Sequence, residues 1–573
     1  MRHTTTPTDT IAPRRPIIWS IAGLDTAGGA GLSADQRAAD ALGVHLCPVV
    51  AAMTAQHSKG VQAVQPVTPA WLEAQLRALM QDMPPAVIKT GLLGSPELVH
   101  TVARWVDRLR ADHPAHPVAL VVDPVLGASA GGSTFASEAV LDAYQRHLLP
   151  RATLLTPNRA EARRLLGIPP SHEGPRDEVP DLATALRLLG PDNVAITGGD
   201  AASGDTLHCL DWIDTAQAHG WLCAPRVDTP HHHGTGCTFA TGAAAALALG
   251  HTPADALVLA KMLTHHALSH GHAAGQGPGP VIAARGFAQG PAHGGAPLPW
   301  LGLGRELPWR LLHQAGDTAP LFQPFTPPAD GLYGIVDTGE RIAQALDAGL
   351  HCLQLRHKAR EGLSAHLAGA IGAATAQADA PLFINDHWQD TLAALPPEPL
   401  AHLQPDTAPA PAPTLGVHLG QEDLLALSTP DRRTLLAARH RLMLGLSSHS
   451  LWELARAAGC GASLIACGPV QPTTTKDMPW RPQGEDNLRW WVAHSPVPVV
   501  AIGGLLTPDD LQRFAACGPA ALCVVRALNG DAHALRSTVP VLRWAVQAGR
   551  NAPQQPSVDL GNPANVALPH PVL

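Results

Sequence analysis

The chain has 573 residues, of which 45% are hydrophobic and 15% charged, and its formal net charge is −8. This length exceeds what one hydrophobic core usually supports, so we expect two domains and a connecting segment. The negative charge argues against nucleic-acid binding, and no apolar run approaches the roughly 18 residues of a membrane span. The polar segment Met1–Arg15 lacks the apolar core of a secretory signal, and nine cysteines without a Cys-x-x-Cys pair favour a reducing compartment. We therefore predict a cytoplasmic protein.

Residues 16–284 alternate short apolar segments with helix-like segments. The strand candidates are Ile17–Leu24, Val44–Thr54, Ala86–Leu92, Val118–Asp123 and Val194–Thr197. The helix candidates are Ala34–Leu42, Ala70–Met80, Pro96–Leu109 and Pro180–Leu189. This alternation predicts a mainly parallel sheet with helices on both faces.

A glycine turn precedes an alanine-rich helix candidate near the end of this region. The turn consists of Gly234, Thr235 and Gly236, and Cys237 follows it at the start of the run that continues to Leu249. Backbone N–H groups and the helix dipole make such a turn a seat for a phosphoryl group. The same field favours a thiolate at Cys237, which could then accept a proton.

Three further segments predict substrate and nucleotide contacts. A glycine-rich loop, residues 28–35, follows the first strand but lacks the Gly-Lys-Ser/Thr ending of a P-loop, so we expect it to approach a small substrate closely. Asp123 ends a strand, and Asn158 and Glu161 begin a helix. A carboxylate and an amide at strand ends can hold a magnesium–nucleotide complex through waters, although each alone is also common as a cap or turn.

In this order and spacing, these segments resemble the hydroxymethylpyrimidine/phosphomethylpyrimidine kinases, a ribokinase-like family, over residues 16–284. The resemblance implies an α/β/α domain that uses ATP to phosphorylate a hydroxymethyl group and then the resulting monophosphate. It also implies that Gln56 hydrogen-bonds the aminopyrimidine, that Gly234–Gly236 form the anion hole and that Cys237 is the base. A pyridoxal-type kinase is the alternative, against which Gln56 and Cys237 argue.

The composition changes after the first region. Residues 285–329 are rich in Gly, Pro and His, so we predict a linker, in which Trp300 and Trp309 dock on a domain. Residues 549–573 are predicted to be a disordered tail.

A second alternation of strands and helices occupies residues 330–548. Its strand candidates are Leu332–Val336, Cys352–Arg356, Leu382–Asn385, Gly416–His418, Arg441–Leu446, Ser463–Cys467, Val497–Ile502 and Ala521–Val525. Eight such units predict a (β/α)8 TIM barrel.

Polar residues gather after these strands, where the chemistry of such barrels takes place. Alternation in the second strand places Gln354, Arg356 and Lys358 on one side, which brings two cations into one cavity. Asp386 and Asp423 add two carboxylates. Cations beside carboxylates are expected if magnesium and a polyphosphate lie between them.

This set resembles thiamine phosphate synthase, including Thr475–Pro479 and Pro482–Gly484. The resemblance implies that the pyrimidine diphosphate is bound by Gln354, Leu355, Arg356, His357, Lys358, Asn385, Ser447 and Lys476, of which Lys476 assists catalysis. Asp386 and Asp423 would be the magnesium ligands. The thiazole phosphate would be bound by Thr473, Thr474, Thr475, Gly503, Gly504, Val525 and Arg526. Arg526 replaces a serine of many relatives, and arginine can bind phosphate through two parallel hydrogen bonds.

Together the two resemblances imply a bifunctional enzyme in which the kinase product is the substrate of the barrel. Its partners would be small molecules, namely an aminopyrimidine, ATP and a thiazole phosphate, with Mg²⁺ as cofactor and no nucleic acid or membrane. A homo-oligomer is expected by analogy with both families. The alternative is a barrel that only binds thiamine phosphates and regulates the kinase, which Asp386, Asp423 and Lys476 oppose.

Overall fold

The computed structural model describes residues 14–127, 137–169, 176–199, 207–314, 320–377, 380–395, 414–473, 479–553 and 568–573. Within these residues the first half forms an open sheet packed against helices, and the second half forms a closed barrel.

The open sheet has ten strands among the described residues, in the order β10-β9-β8-β7-β6-β5-β4-β1-β2-β3. They are β1 (Ile17–Leu24), β2 (His45–His57), β3 (Gly60–Pro66), β4 (Val87–Thr90), β5 (Ala119–Val122), β6 (Leu154–Leu155), β7 (Val194–Ile196), β8 (His208–Asp214), β9 (His219–Pro225) and β10 (Trp300–Leu301). The pairings β2–β3, β7–β8, β8–β9 and β9–β10 are antiparallel and the others parallel. The five predicted strands are confirmed as β1, β2, β4, β5 and β7, because central parallel strands are continuous apolar runs. The edge strands and the two-residue β6 lack that signal.

The helices of this half begin at strong sequence signals. They are α1 (Gly31–Leu42), α2 (Pro69–Met80), α3 (Pro96–Asp112), α4 (Glu138–Ala143), α5 (Arg159–Leu165), α6 (Val179–Arg187), α7 (Thr235–Ala248) and α8 (Pro253–Ser269). Thr68, Ser95 and Thr252 cap α2, α3 and α8, and each is followed by proline at the first turn. Helix α7 differs, because its N-cap is Gly234 with φ of 90°, which has no side chain to occupy the first N–H groups.

The second half closes into a barrel of eight parallel strands in chain order. They are β11 (Leu332–Val336), β12 (Leu353–Leu355), β13 (Leu382–Asn385), β14 (Leu415–Leu419), β15 (Met443–Ser448), β16 (Leu464–Cys467), β17 (Val499–Ala501) and β18 (Ala521–Val524). All eight predicted strands are confirmed, with ends that differ by at most two residues. Alternate residues fill the interior, including Tyr333, Phe383, Met443 and Leu464, while their neighbours pack against the outer helices.

The outer layer of the barrel is helical. Its helices are α10 (Gly339–Asp347), α11 (Leu363–Ala376), α12 (Trp388–Ala393), α13 (Gln421–Ala426), α14 (Thr429–Ala437), α15 (Leu451–Gly459), α16 (Gly484–His494), α17 (Pro508–Ala515) and α18 (Ala532–Arg550). None of the helices in the described part of the chain has both the length and the apolar character that crossing a bilayer requires.

The segment predicted as a linker is packed where the structure describes it. Trp300 begins β10, which pairs with β9, and Trp309 begins the short α9 (Trp309–Leu312) and is fully buried. The Arg310 Nε donates to the carbonyl of Ala458 in the barrel at 2.8 Å. This segment therefore packs on both halves of the molecule. Trp300 and Trp309 are buried, as expected.

The prediction of a disordered tail is wrong for residues 568–573. The backbone N–H of His570 donates to Asn487 Oδ1 at 2.8 Å, and the Arg481 N–H donates to the Val572 carbonyl at 2.8 Å. Val572 is buried. Apolar side chains and paired backbone groups thus hold this short segment in place. The sequence did not predict this, because the residues that precede the segment are mostly polar. Residues 554–567 lie outside the described residues.

The two halves share a joint formed by α8 and α15. Asp255 in α8 is buried there and accepts a hydrogen bond from the Trp452 N–H at 3.0 Å. Burial, reinforced by Glu453, raises the pKa of Asp255 to about 7. The buried apolar cluster is continuous from the open sheet through this joint to the outer layer of the barrel.

Candidate active sites

A cavity in the first half lies where several parallel strands end, beside the N-terminus of α7. It is lined by every residue predicted for the kinase site, namely Gln56, Asp123, Asn158, Glu161, Gly234, Thr235, Gly236 and Cys237. The cavity is also lined by Asp25, Lys89 and His233, for which no role was predicted. Parallel topology brings these distant segments together, since the carboxyl ends of the strands share one edge.

Asp25 organises the glycine-rich loop. Its carboxylate accepts hydrogen bonds from the N–H groups of Ala27, Gly29 and Ala30 at 2.8–3.0 Å. The Nε2 atom of His233 lies 3.0 Å from Asp25 Oδ2 and 3.2 Å from the Gln56 amide nitrogen. Burial alone would raise the pKa of Asp25, but the bonds from His233 and the backbone lower it, so this carboxylate is ionised.

The two glycine turns lie in direct contact. A Cβ atom at Gly29 would come within 2.3 Å of His233 Cδ2, and one at Gly234 would come within 2.3 Å of the Gly29 carbonyl oxygen. The close backbone approach expected of the first loop is therefore made to the second turn. This contact sets the turn formed by Gly234–Gly236 beside Gln56 in the cavity.

Cys237 lies near a buried lysine network. Lys89 Nζ is 3.0 Å from Asp35 Oδ1 and 3.6 Å from Asp123 Oδ2. The same Asp35 carboxylate accepts hydrogen bonds from the hydroxyls of Ser20 and Thr241. Burial raises the pKa of Cys237 to about 12 although Lys89 opposes the change. Desolvation at this position thus opposes the helix dipole and favours the thiol form of Cys237.

Two carboxyls with raised pKa values form another part of the cavity wall. Burial raises the pKa of Asp123 to about 6, and burial together with Asp123 raises the pKa of Glu161 to about 8. Asn158 Oδ1 accepts a hydrogen bond from the Glu161 N–H, and Glu161 Oε2 accepts one from the Asn158 N–H, each at 2.9 Å. The pair is therefore a capping box for α5 and at the same time part of the cavity wall.

The second cavity opens at the carboxyl ends of the barrel strands and has a volume of about 330 Å³. This volume is typical of small-molecule sites. It is lined by eleven of the residues predicted for the synthase site, namely Gln354, Arg356, Asn385, Asp386, Asp423, Ser447, Thr473, Gly503, Gly504, Val525 and Arg526.

Side chains from the first strands form a fixed amide pair. Gln354 Oε1 accepts from the Tyr333 hydroxyl at 2.9 Å, and Gln354 Nε2 donates to Asn385 Oδ1 at 2.8 Å. Both oxygens are thereby used within the protein. The Asn385 amide group retains its donors for a ligand.

Asp386 and Asp423 lie close together at the next two strand ends. Burial, and then Asp423 as a charge and hydrogen-bond partner, raises the pKa of Asp386, while Arg356 lowers it. Asp386 has φ of 66°, an uncommon conformation for a residue with a side chain, and Asp423 Oδ2 accepts from the Gly420 N–H at 3.1 Å. Two adjoining carboxylates held in this way suit a hard divalent cation.

Three predicted residues do not line this cavity. Leu355 is buried in the outer core, and the imidazole nitrogens of His357 lie 3.0 Å from the carbonyl oxygens of Asp337 and Glu361. Lys358 is exposed. Strand β12 ends at Leu355, so side-chain alternation does not extend to Lys358. Thr474, Thr475 and Lys476 lie outside the described residues.

The glycines after β17 are required by their backbone. Gly503 and Gly504 have φ of 96° and 76°, and a Cβ atom on Gly504 would lie 2.4 Å from Gln471 Cβ. Neither position accommodates a side chain without displacement. They bring bare backbone to the cavity beside Val525 and Arg526.

Four further residues line this cavity although the sequence did not indicate them, namely His418, His449, Glu453 and Trp480. His418 Nε2 lies 3.0 Å from Ser447 Oγ, and burial lowers the pKa of His418 to about 4. His449 Nδ1 lies 2.8 Å from Glu453 Oε2, and the His449 ring stacks on Trp480 with centroids 5.4 Å apart. Their position in the sequence could have indicated them, because His418 and His449 lie near strand ends, as does Ser447, which was predicted to bind the substrate.

Each half of the chain matches a different family of known proteins. Residues 25–282 match the family model described as phosphomethylpyrimidine kinase, and residues 331–528 match that described as thiamine monophosphate synthase. The hydroxymethylpyrimidine/phosphomethylpyrimidine kinase of Synechococcus elongatus is 39% identical over 266 residues, 46% of this chain and 96% of the relative. These matches and the closed barrel confirm the predicted fold class, a ribokinase-like α/β/α domain followed by a TIM barrel.

Two relatives extend across both halves. A probable chloroplastic thiamine biosynthetic bifunctional enzyme of Oryza sativa subsp. japonica is 32% identical over 507 residues, 86% of this chain and 81% of the relative. A chloroplastic thiamine biosynthetic bifunctional enzyme of Arabidopsis thaliana is 30% identical over 513 residues, 86% of this chain and 85% of the relative. The chain therefore belongs to the bifunctional enzymes of thiamine biosynthesis, in which a hydroxymethylpyrimidine/phosphomethylpyrimidine kinase is fused to a thiamine phosphate synthase.

Proposed function

We propose that the first cavity transfers phosphoryl groups from ATP to the hydroxymethyl group of the aminopyrimidine and then to the monophosphate. Gln56, held beside His233, hydrogen-bonds the aminopyrimidine edge. The N–H groups of Gly234, Thr235 and Gly236 receive the transferring phosphoryl group at the N-terminus of α7. The observation that carries this proposal is the convergence of that turn, Cys237 and the Asp123–Glu161 edge on one cavity.

A magnesium ion fits the Asp123–Glu161 edge. The carboxyl pKa values are raised by burial, and Asp123 further raises the pKa of Glu161, so a nearby cation would relieve the cost of ionising both groups. Bound with the nucleotide, magnesium would neutralise charge on the phosphates. Asp123, Asn158 and Glu161 would hold the complex through waters, and Lys89 adds a fixed positive charge near Asp123.

Cys237 serves the first transfer as the proton acceptor. The hydroxymethyl oxygen attacks the terminal phosphorus of ATP, the bond to the leaving ADP breaks, and the hydroxyl proton passes to the thiolate form of Cys237. The second transfer starts from an ionised phosphate oxygen and needs no base. Cys237 therefore distinguishes the two steps chemically.

In the second cavity we propose that the pyrimidine diphosphate ionises and the thiazole phosphate captures the product cation. The bond between the pyrimidine methylene carbon and the diphosphate oxygen breaks, and the thiazole nitrogen then bonds to that carbon. Arg356 and Lys476 stabilise the leaving diphosphate, while Asn385 and Ser447 orient the pyrimidine. Gly503, Gly504, Val525 and Arg526 bind the thiazole phosphate, with Thr473, Thr474 and Thr475.

Asp386 and Asp423 would hold magnesium in this cavity. Burial and the neighbouring charge of Asp423 raise the pKa of Asp386, and a bound cation would remove this repulsion. Magnesium would supply charge neutralisation for the leaving diphosphate. The adjacency of these carboxylates to Arg356 is the observation that favours synthesis over a barrel that only binds thiamine phosphates.

One coupled assay tests both proposals. Purified full chain is supplied with hydroxymethylpyrimidine, ATP, Mg²⁺ and thiazole phosphate, and thiamine phosphate is measured. We expect its formation, and none without ATP unless the pyrimidine diphosphate is supplied directly. Accumulation of pyrimidine diphosphate without thiamine phosphate would instead support the binding-only barrel. Pyridoxal in place of the pyrimidine tests the alternative kinase substrate.

We also propose a cytoplasmic location. All nine cysteines are free thiols in the structure, which suits a reducing compartment. Fractionation of cells that produce the protein tests this location, and recovery with an organelle, as the names of the two plant relatives state for them, would contradict it. A homo-oligomer stays a prediction, which light scattering would test.

A further inference from the structure

A carboxylate of the kinase half caps a helix of the barrel. Asp255 is the third residue of α8, and its side chain is only 2% exposed. Its Oδ1 accepts a hydrogen bond from the Trp452 N–H at 3.0 Å. Leu451 and Trp452 are the first two residues of α15. The capping oxygen thus comes from the other half of the molecule.

This cap serves N–H groups that a helix cannot satisfy internally. The first four N–H groups of an α-helix have no partner within it, and a negative group at this end is favourable. The local N-cap residue, Ser450, accepts from the Glu453 N–H through its hydroxyl. Asp255 supplies the acceptor for the preceding N–H group, that of Trp452, and so fixes the first turn of α15.

The next residue of that turn faces the synthase cavity. Glu453 is 3% exposed, lines the cavity and accepts from the N–H of His449, with the His449 Nδ1 atom 2.8 Å from the same oxygen. Gln483 Nε2 donates to the His449 carbonyl oxygen at 2.6 Å, and Trp480 stacks on the ring. With Nδ1 engaged by Glu453, Nε2 is the ring nitrogen left for a substrate in the cavity.

We propose that Asp255 is a positioning residue of the synthase reaction, which acts across the joint by fixing the Glu453–His449 pair at the barrel cavity. This inference rests on the proposed function of that cavity. It makes the kinase half a structural part of the synthase, independent of whether the kinase is turning over. The bond concerned belongs to the fused chain, since its two partners lie in different halves.

The test supplies pyrimidine diphosphate and thiazole phosphate directly to the full chain, which bypasses the kinase. We expect Asp255→Ala to lower synthase kcat/KM by about five- to tenfold, the effect of losing one helix cap. Asp255→Asn retains an acceptor oxygen and should restore most of the rate. Asp181→Ala is the matched control, because Asp181 is an exposed kinase-half carboxylate that pairs with Arg305.

Two further readouts separate positioning from general damage. Kinase rates of the Asp255→Ala protein should stay within about twofold of the unaltered chain, which also shows that the variant folds. In a His449→Ala background, Asp255→Ala should produce no additional loss, since its effect passes through that side chain.

Several outcomes would overturn the inference. They are unchanged synthase constants in Asp255→Ala, a parallel loss of kinase activity, an Asp255→Asn protein as impaired as the alanine variant, and an undiminished effect in the His449→Ala background. Failure of the unaltered chain to condense the two substrates would refute the proposed function instead. The two failures are therefore distinguishable.

Discussion

The high pKa of Cys237 gives the proposed base a measurable signature. With a pKa of about 12, the thiolate fraction rises about tenfold for each pH unit below that value. If the thiolate accepts the hydroxyl proton, the first phosphorylation should accelerate by about a hundredfold between about pH 7.5 and 9.5. The second phosphorylation starts from an acceptor that is already ionised over this range, since its second pKa lies near 6. The ratio of the first rate to the second should therefore rise with pH in proportion to the thiolate fraction of Cys237.

Single-turnover measurements by rapid quench provide the assay, because they isolate phosphoryl transfer from product release. Glu161, whose pKa is raised to about 8, titrates within the same window. Its effect on nucleotide binding is common to both steps, so it cancels in the ratio. Asp123, with a pKa of about 6, is ionised throughout.

Cys237→Ala completes the experiment. We expect it to slow the first transfer by about 10²–10⁴-fold, the range for one general base, and to change the second by less than about threefold. The pH dependence of the ratio should disappear in this variant. A ratio that is flat with pH in the unaltered chain, or equal losses in both steps, would refute the reasoning and direct attention to His233.

Three other predictions concern the barrel. Asp386→Asn should raise the Mg²⁺ concentration for half-maximal synthase rate by about tenfold or more and leave the kinase response unchanged, which a magnesium titration of each activity checks; identical titrations would contradict the ligand assignment. Gly504→Ala should raise KM for thiazole phosphate and cost about 1–3 kcal/mol of stability in denaturant unfolding, because φ is 76° and the added Cβ would lie 2.4 Å from Gln471 Cβ. Lys476→Ala should lower synthase turnover by about 10²–10³-fold if that ammonium group stabilises the leaving diphosphate, and normal turnover would remove it from the site.

The parts of the fold that could be predicted are those with one dominant signal. Strands β1, β11 and β13 agree with their predicted ends, since buried parallel strands are short apolar runs between polar residues. The antiparallel strands β8 and β9 were not predicted because residues such as Asp211 and His219 interrupt the apolar pattern. Asp211 is nevertheless buried, where Lys261 Nζ lies 2.7 Å from its carboxylate. Such a long-range pair leaves no local mark in the sequence.

The candidate sites show the same division. Residues at strand ends, such as Asp123 and Asp386, were found because topology alone brings them to one edge. Lys358 does not line the cavity because alternation stops where β12 ends, which spacing cannot reveal. The pKa of Cys237 illustrates the same limit, since a helix dipole is visible in the sequence and the desolvation that opposes it is not.

The same reasoning explains why the joint between the halves escaped detection. Asp255 follows a threonine cap and a proline, so in the sequence it is an ordinary first-turn carboxylate of α8. In the structure the same side chain serves a second helix, α15, whose residue Glu453 borders the synthase cavity. An acidic residue that lies in the first turn of one helix and caps a second is under more constraint than its place in α8 alone requires. In a fused chain, a residue of the kinase half can thus help to position side chains at the synthase cavity without lining that cavity itself.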